Sequence, residues 1–229
     1  MRGLFVTGTD TGVGKSVLSA ALLAAMSAAG EPVRAHKPVV TGLQEEPPDA
    51  SRWPPDHVLL ARAAGMRPQD VAPLRYGPAV SPHLAAELAG ERIDPYRVLD
   101  TALRAGERHT LVVEGVGGLL VPLAENYAVR DLAAELGLPV VIAARPELGT
   151  INHTLLTLQA ARAADLDVRA VVLTPWPQAP SAMERSNRET VARLGAIDVH
   201  GLAYVPGPGR DELARAGETL PWRSWLTSD

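Results

Sequence analysis

The run Gly8-Thr9-Asp10-Thr11-Gly12-Val13-Gly14-Lys15-Ser16 stands between a short apolar segment and an alanine-rich one. Glycines in such a place let backbone N–H groups approach an anion, the opening of the following helix carries partial positive charge, and Lys15 adds a full one. Ser16 offers a hydroxyl to magnesium. This is the chemistry of a cradle for the phosphates of a nucleoside triphosphate, formed by Gly12, Val13, Gly14, Lys15, Ser16 and Val17. The spacing is unusual, because the first glycine of the motif would fall on Thr9 and is supplied one residue early by Gly8. The alternative reading is a glycine-rich turn with an incidental Lys-Ser pair.

Further candidates stand where an apolar run ends or a helix begins. Glu114 closes Leu111-Val112-Val113 and precedes Gly115-Val116-Gly117-Gly118, where a ligand or another backbone can come close. Its carboxylate suits a magnesium ligand, or else it caps the strand and pairs with a surface cation. Lys37 lies in His36-Lys37-Pro38-Val39, where the proline stops regular pairing. It is either a second positive charge for a transferring phosphoryl group or a solvated strand end. Asp56 opens a helix, as a cap or as a metal ligand. Gly149-Thr150-Ile151-Asn152-His153 opens another, either as an anion-binding N-terminus or as a helix start capped by Thr150. The histidines show no metal-ligand spacing, and no Ser-His-Asp arrangement has support.

The elements that must position these residues follow from periodicity. Strands are expected over 4–7, 33–37, 111–114, 140–143, 170–173 and 201–205. Helices are expected over 15–29, 56–64, 83–89, 95–105, 129–136, 151–163 and 182–194, with Gly30 stopping the first. Short β-branched runs alternating with helical segments predict an α/β fold, a mostly parallel sheet with helices on both faces, in a single domain over residues 1–229. Ligands of such sheets bind outside the carboxyl ends of the strands, which places the proline-rich stretches 44–55 and 174–180 on the functional side.

Composition narrows the function. A formal net charge of −4 and the lack of any Lys/Arg run argue against nucleic-acid binding. With no cysteine, disulfides, thiolate metal sites and cysteine nucleophiles are excluded. No apolar run reaches the length of a membrane span and none reads as a signal peptide, so a cytoplasmic location is expected.

The residues 6–16, Lys37-Pro38-Val39 with Thr41-Gly42, Ser81-Pro82-His83, residues 113–118 with Val121-Pro122-Leu123, and Leu148-Gly149-Thr150-Ile151-Asn152-His153 occur in this order. In that combination the chain resembles the dethiobiotin synthetase family of P-loop NTPases. The resemblance implies a P-loop NTPase-type sheet and ATP-dependent closure of a cyclic urea on 7,8-diaminononanoate with CO2 or bicarbonate. It implies that Lys15 and Lys37 stabilise charge on the γ-phosphoryl group and a carbamate, that Thr11 and Thr41 position the diamine, and that Ser16, Asp56 and Glu114 hold Mg2+. It also implies that Gly115, Val116, Gly117, Thr174, Pro175, Val205, Pro206 and Gly207 border the nucleotide. A homodimer is implied as well, with Gly149, Thr150, Ile151 and Asn152 receiving the substrate's distal carboxylate across the interface.

Two features depart from the family pattern. Thr174-Pro175 stands where many members carry Asn-Asp, which leaves the base preference open, and residues 182–194 hold no tyrosine near the carboxylate site, where Asn187 or Arg185 are candidates. The rival reading is a partitioning-type ATPase switch of the same superfamily. Those proteins place a lysine five positions before the loop lysine, where this chain has Asp10. A cofactor amidation enzyme is the other rival, but its additional domain uses a cysteine nucleophile.

Overall fold

Alternate residues of a strand point to opposite faces of a sheet, so a strand buried on both faces feeds two cores at once. The computed structural model, which describes residues 1–44 and 53–226, follows this rule along every central strand. In β1 (Gly3–Gly8), Leu4 and Val6 join one buried cluster and Phe5 the other. In β5 (Thr110–Glu114) Val112 faces the first cluster while Leu111 and Val113 face the second. The same split runs through β8 (Val140–Ala144) and β9 (Val168–Trp176), and β2 (Val33–His36) and β10 (Val199–Ala203) complete a six-stranded sheet in the order β10-β9-β8-β1-β5-β2. All of its pairings are parallel. The expected α/β architecture is the one observed.

The first face is covered by α1 (Lys15–Ala28), α2 (Asp56–Ala64), α9 (Arg210–Glu218) and α10 (Trp222–Trp225). The alanines of α1 permit close packing on several sides, and a Cβ at Gly217 of α9 would lie 2.1 Å from the Ala21 carbonyl oxygen. The second face is covered mainly by α4 (Pro82–Leu88), α5 (Pro95–Gly106), α6 (Val129–Leu136), α7 (Thr150–Arg162) and α8 (Ala182–Gly195). A short α3 (Pro68–Val71) and two two-stranded ribbons, β3 (Val39–Val40) with β4 (Leu74–Arg75) and β6 (Pro122–Ala124) with β7 (Tyr127–Ala128), fill the connections.

Several boundaries differ from expectation. The second strand stops at His36, so Lys37 lies just beyond it. The strand expected over 170–173 runs on through Pro175 to Trp176, because Pro175 is exposed near the strand's end, where a missing N–H costs little. The last strand is shifted to Val199–Ala203, because Gly201 belongs inside it: its missing side chain makes room for Trp176, whose ring carbon Cγ would lie 2.5 Å from a Cβ there. Neither α9 nor α10 was expected, and buried Trp222 and Trp225 anchor them to the first core. The expected loop over 44–55 falls, for residues 45–52, outside the described residues. Among the described residues no helix is long and apolar enough to cross a membrane.

Candidate functional site

Strand order places the ends of β1, β5, β8 and β2 side by side, and the chain leaves β1 for one side of the sheet and later fills the other. Such a switch point opens a crevice at the carboxyl ends of the strands. The loop from Gly8 lies in it, tied to β8 where the Thr9 N–H donates to the Ala143 carbonyl at 3.0 Å. Gly14 is the N-cap of α1 with φ 90°, and a Cβ there would lie 2.7 Å from the Thr174 methyl, so the position excludes side chains on two grounds. Gly8, the early glycine, makes room for the stem of Lys15 and for Val13. The irregular spacing is thus accommodated by packing beneath the loop.

Lys15 is buried, and its ammonium donates to the Asp10 carbonyl at 2.7 Å. Burial lowers its pKa to about 8, with Glu114 opposing the shift. Across the crevice Lys37 is 3% exposed, so it is not a solvated strand end. Its Nζ lies 2.5 Å from Glu114 Oε1 and 2.8 Å from Asp56 Oδ2. Burial pulls the Lys37 pKa down, but the two carboxylates outweigh it and hold the ammonium above its ordinary value. It is a fixed cation, not a proton acceptor. Burial likewise opposes ionisation of Asp56, and Lys37 reverses the balance and lowers its pKa.

Glu114 is fully buried, and its Oε1 also accepts from Ser16 Oγ at 2.8 Å. Its partner is therefore a buried lysine and not a surface cation. Its second oxygen, Oε2, has no partner among the described residues. Asp56 is the first residue of α2 after the N-cap Pro55, where no side-chain capping bond forms, so it is not a cap; its carboxylate pairs with Lys37. Lys15, Ser16, Lys37 and Asp56 line a cavity of about 670 Å³ with Thr11, Gly12, Gly14, Val17, Thr41, Val116 and Gly117, whereas Glu114 lies buried behind Ser16 and Lys37, and Val13 and Gly115 do not line it. Gly117, at φ 60°, lies against Thr11: a Cβ there would be 3.6 Å from the Thr11 hydroxyl.

Residues 2–206 match a family model described as an AAA domain. ATP-dependent dethiobiotin synthetase BioD of Anaeromyxobacter sp. (strain K) is 42% identical over 96% of this chain and 96% of its own. The protein of the same name from Mycobacterium sp. (strain KMS) is 41% identical over 99% and 98%, and that from Bacillus subtilis subsp. natto 36% identical over 88% and 87%. The chain belongs to the ATP-dependent dethiobiotin synthetase family. It is a family of ligases that form C–N bonds, built on the P-loop NTPase α/β fold.

Against what membership in the dethiobiotin synthetase family implies, the structure gathers some assigned residues and separates others. Thr11, Thr41, Lys15, Ser16, Lys37 and Asp56 share the cavity. The start of α7 does not open into it. Thr150 lines a separate cleft of about 240 Å³ with Thr9, Asp10, Thr11, Arg145 and His153, on the other side of the loop. Nor is Thr150 a cap: Gly149 is the N-cap, and the Thr150 side chain is buried against Thr154, oxygen to oxygen 3.4 Å. None of Thr174, Pro175, Val205, Pro206 and Gly207 lines the cavity. Thr174 is buried against Gly14, Val205 belongs to the first core, and Pro206 is exposed. Asn187 donates to the Pro146 and Glu147 carbonyls at 3.0 and 3.2 Å, bracing the approach to α7 instead of facing a ligand, and Arg185 donates to the Pro180 carbonyl. The residue sequence reasoning missed is Arg145, which follows β8 on the ligand side; its place at a strand end was the available signal.

One buried group beside the site has a consequence for stability. His36 is buried, its Nε2 has no partner among the described residues, and burial lowers its pKa to about 4. The folded protein holds it neutral while the unfolded chain takes up a proton below about pH 6.5, so stability falls as pH drops from there toward 4, by on the order of 3 kcal/mol in all. Urea midpoints at pH 7.5 and 5.0 are expected to separate in the wild type and to converge in His36→Leu. An equal separation in both would show that His36 is not the source.

Proposed function

We propose that the chain catalyses Mg2+-dependent, ATP-driven formation of dethiobiotin from 7,8-diaminononanoate and CO2. The observation that carries the proposal is a fixed lysine cation, Lys37, opposite the phosphate loop in a cavity that also presents Thr11 and Thr41. One amine of the diamine adds to CO2 and releases a proton, giving a carbamate. A carbamate oxygen attacks the γ-phosphorus and ADP leaves, giving a carbamic–phosphoric anhydride. The second amine then attacks the carbonyl carbon, phosphate departs and the ring closes. No enzyme nucleophile is needed, in keeping with a chain that lacks a nucleophilic triad.

Lys15 and Lys37 approach the transferring group from two sides, and both charges serve the negative charge that develops on the phosphoryl oxygens. The Thr11 and Thr41 hydroxyls hold the diamine or carbamate in line. The unpartnered Glu114 Oε2, the Ser16 hydroxyl and the Asp56 carboxylate make an all-oxygen donor set of the kind magnesium takes. When bound, magnesium neutralises charge shared by the β- and γ-phosphates. The site is completed in a homodimer, a reading supported by the start of α7 opening on its own cleft beside the exposed Leu148, 89% accessible.

Diaminononanoate, bicarbonate, magnesium and ATP together are expected to yield dethiobiotin and phosphate in equal amounts. Phosphate release that ignores the diamine would sink the synthetase reading and favour a nucleotide-dependent switch. Repeating the assay with each nucleoside triphosphate resolves the base preference left open by Thr174.

A further inference from the structure

Arg145, directly after β8, has no part in the chemistry above. Its Nη2 and Nε both donate to the Gly12 carbonyl oxygen, at 2.9 and 3.2 Å. The approach is close, since a Cβ on Gly12 would lie 3.3 Å from Nη2. Two N–H groups from one rigid guanidinium on one oxygen set the direction of that carbonyl as well as its distance. In a planar trans peptide the carbonyl and the next residue's N–H point opposite ways. Arg145 lines the cleft shared with Asp10, Thr150 and His153, on the far side of the loop from Lys37 and Ser16. Val13 itself borders that cleft, and holding the Gly12 oxygen toward Arg145 turns the Val13 N–H the opposite way, away from the guanidinium.

Resting on the reading of this loop as a nucleotide cradle, we propose that Arg145 is a positioning residue that aims the Val13 amide at the phosphates from outside the phosphate site. Its other neighbour does not account for it. Glu147 lies 3.9 Å from Arg145 Nη1 with both side chains more than half exposed, a pairing that contributes little. Without Arg145 the Gly12–Val13 peptide is free to rotate, since Gly12 at φ 72° is a glycine with few steric restraints, and the amide must be ordered on each binding event.

Calorimetric titration of the full-length protein with Mg-ATP tests this. Arg145→Ala is expected to weaken binding about tenfold, the scale of one charge-assisted hydrogen bond, with Tm and kcat at saturating ATP little changed. Arg145→Lys, able to reach the carbonyl but not to fix its direction, should recover part of the loss, and Glu147→Ala should match the wild type. Wild-type affinity in Arg145→Ala overturns the inference, as does an equal loss in Glu147→Ala. A raised KM for the diamine with unchanged ATP affinity also overturns it, by assigning Arg145 to the second substrate. Failure of the wild-type protein itself to bind ATP would count against the proposed function and not against this role.

Discussion

Replacing Lys37 by alanine is expected to lower kcat about 10³-fold or more, on the order of 4 kcal/mol of transition-state stabilisation, while Mg-ATP binding stays within a few-fold of wild type. The split follows from position. In the proposed reaction Lys15 and the loop amides bind phosphate in the ground state, whereas Lys37, which stands across the cavity between Asp56 and Glu114, meets charge that develops as the phosphoryl group moves. Because the two carboxylates hold the ammonium above its ordinary pKa, its charge is constant over the working range, and activity should show no limb on the pH profile assignable to Lys37. Removal also leaves Glu114 buried without its cation, so Tm and ATP binding are measured on the same preparation. A folded, ATP-binding variant that retains turnover would take Lys37 off the list of catalytic residues.

Glu114→Gln is expected to have the second-largest effect, a fall in turnover of about 10²-fold together with a rise in the magnesium concentration needed for half-maximal rate. The amide is nearly the same shape, so the change is one of charge. Glu114 Oε1 already accepts from Ser16 and Lys37, and Oε2 has no partner among the described residues. A buried carboxylate oxygen left unpaired is costly unless something outside the protein completes it, and a divalent cation is the group the donor set suits. If turnover falls while the magnesium dependence does not move, Glu114 serves only as the counter-ion of Lys37 and the metal assignment fails. Titration of magnesium at saturating ATP separates the two.

The phosphate loop was legible from its own residues, because such loops depend on which positions can be glycine and on a lysine directly after the last of them, and the order of the other segments along the chain carried the resemblance. Alternation made the two-faced sheet legible for a similar reason: Leu4 and Val6 against Phe5 is a property of any strand, wherever it ends up. Residues 210–225 were not legible, since α9 is a mostly polar helix held to the first core by Leu213, by backbone contact at Gly217 and by the tryptophans of the short helix that follows it. Arg145 was missed because its partner is a carbonyl, which carries no side-chain signature.

What the sequence by itself determined was the set of groups and the ends of the strands that carry them: a loop with Lys15 and Ser16, a lysine closing the second expected strand, a glutamate closing the third. Tertiary structure alone decided what they are to one another. Strand order sets the end of β2 beside the end of β5, which converts Lys37 and Glu114, 77 residues apart in the chain, into a buried pair at 2.5 Å. It also sends the start of α7 to the other side of the loop. The physical reason is that charge and shape of a side chain are local, whereas burial, and with it the sign and size of every electrostatic effect at this site, depends on segments that meet only when the sheet closes.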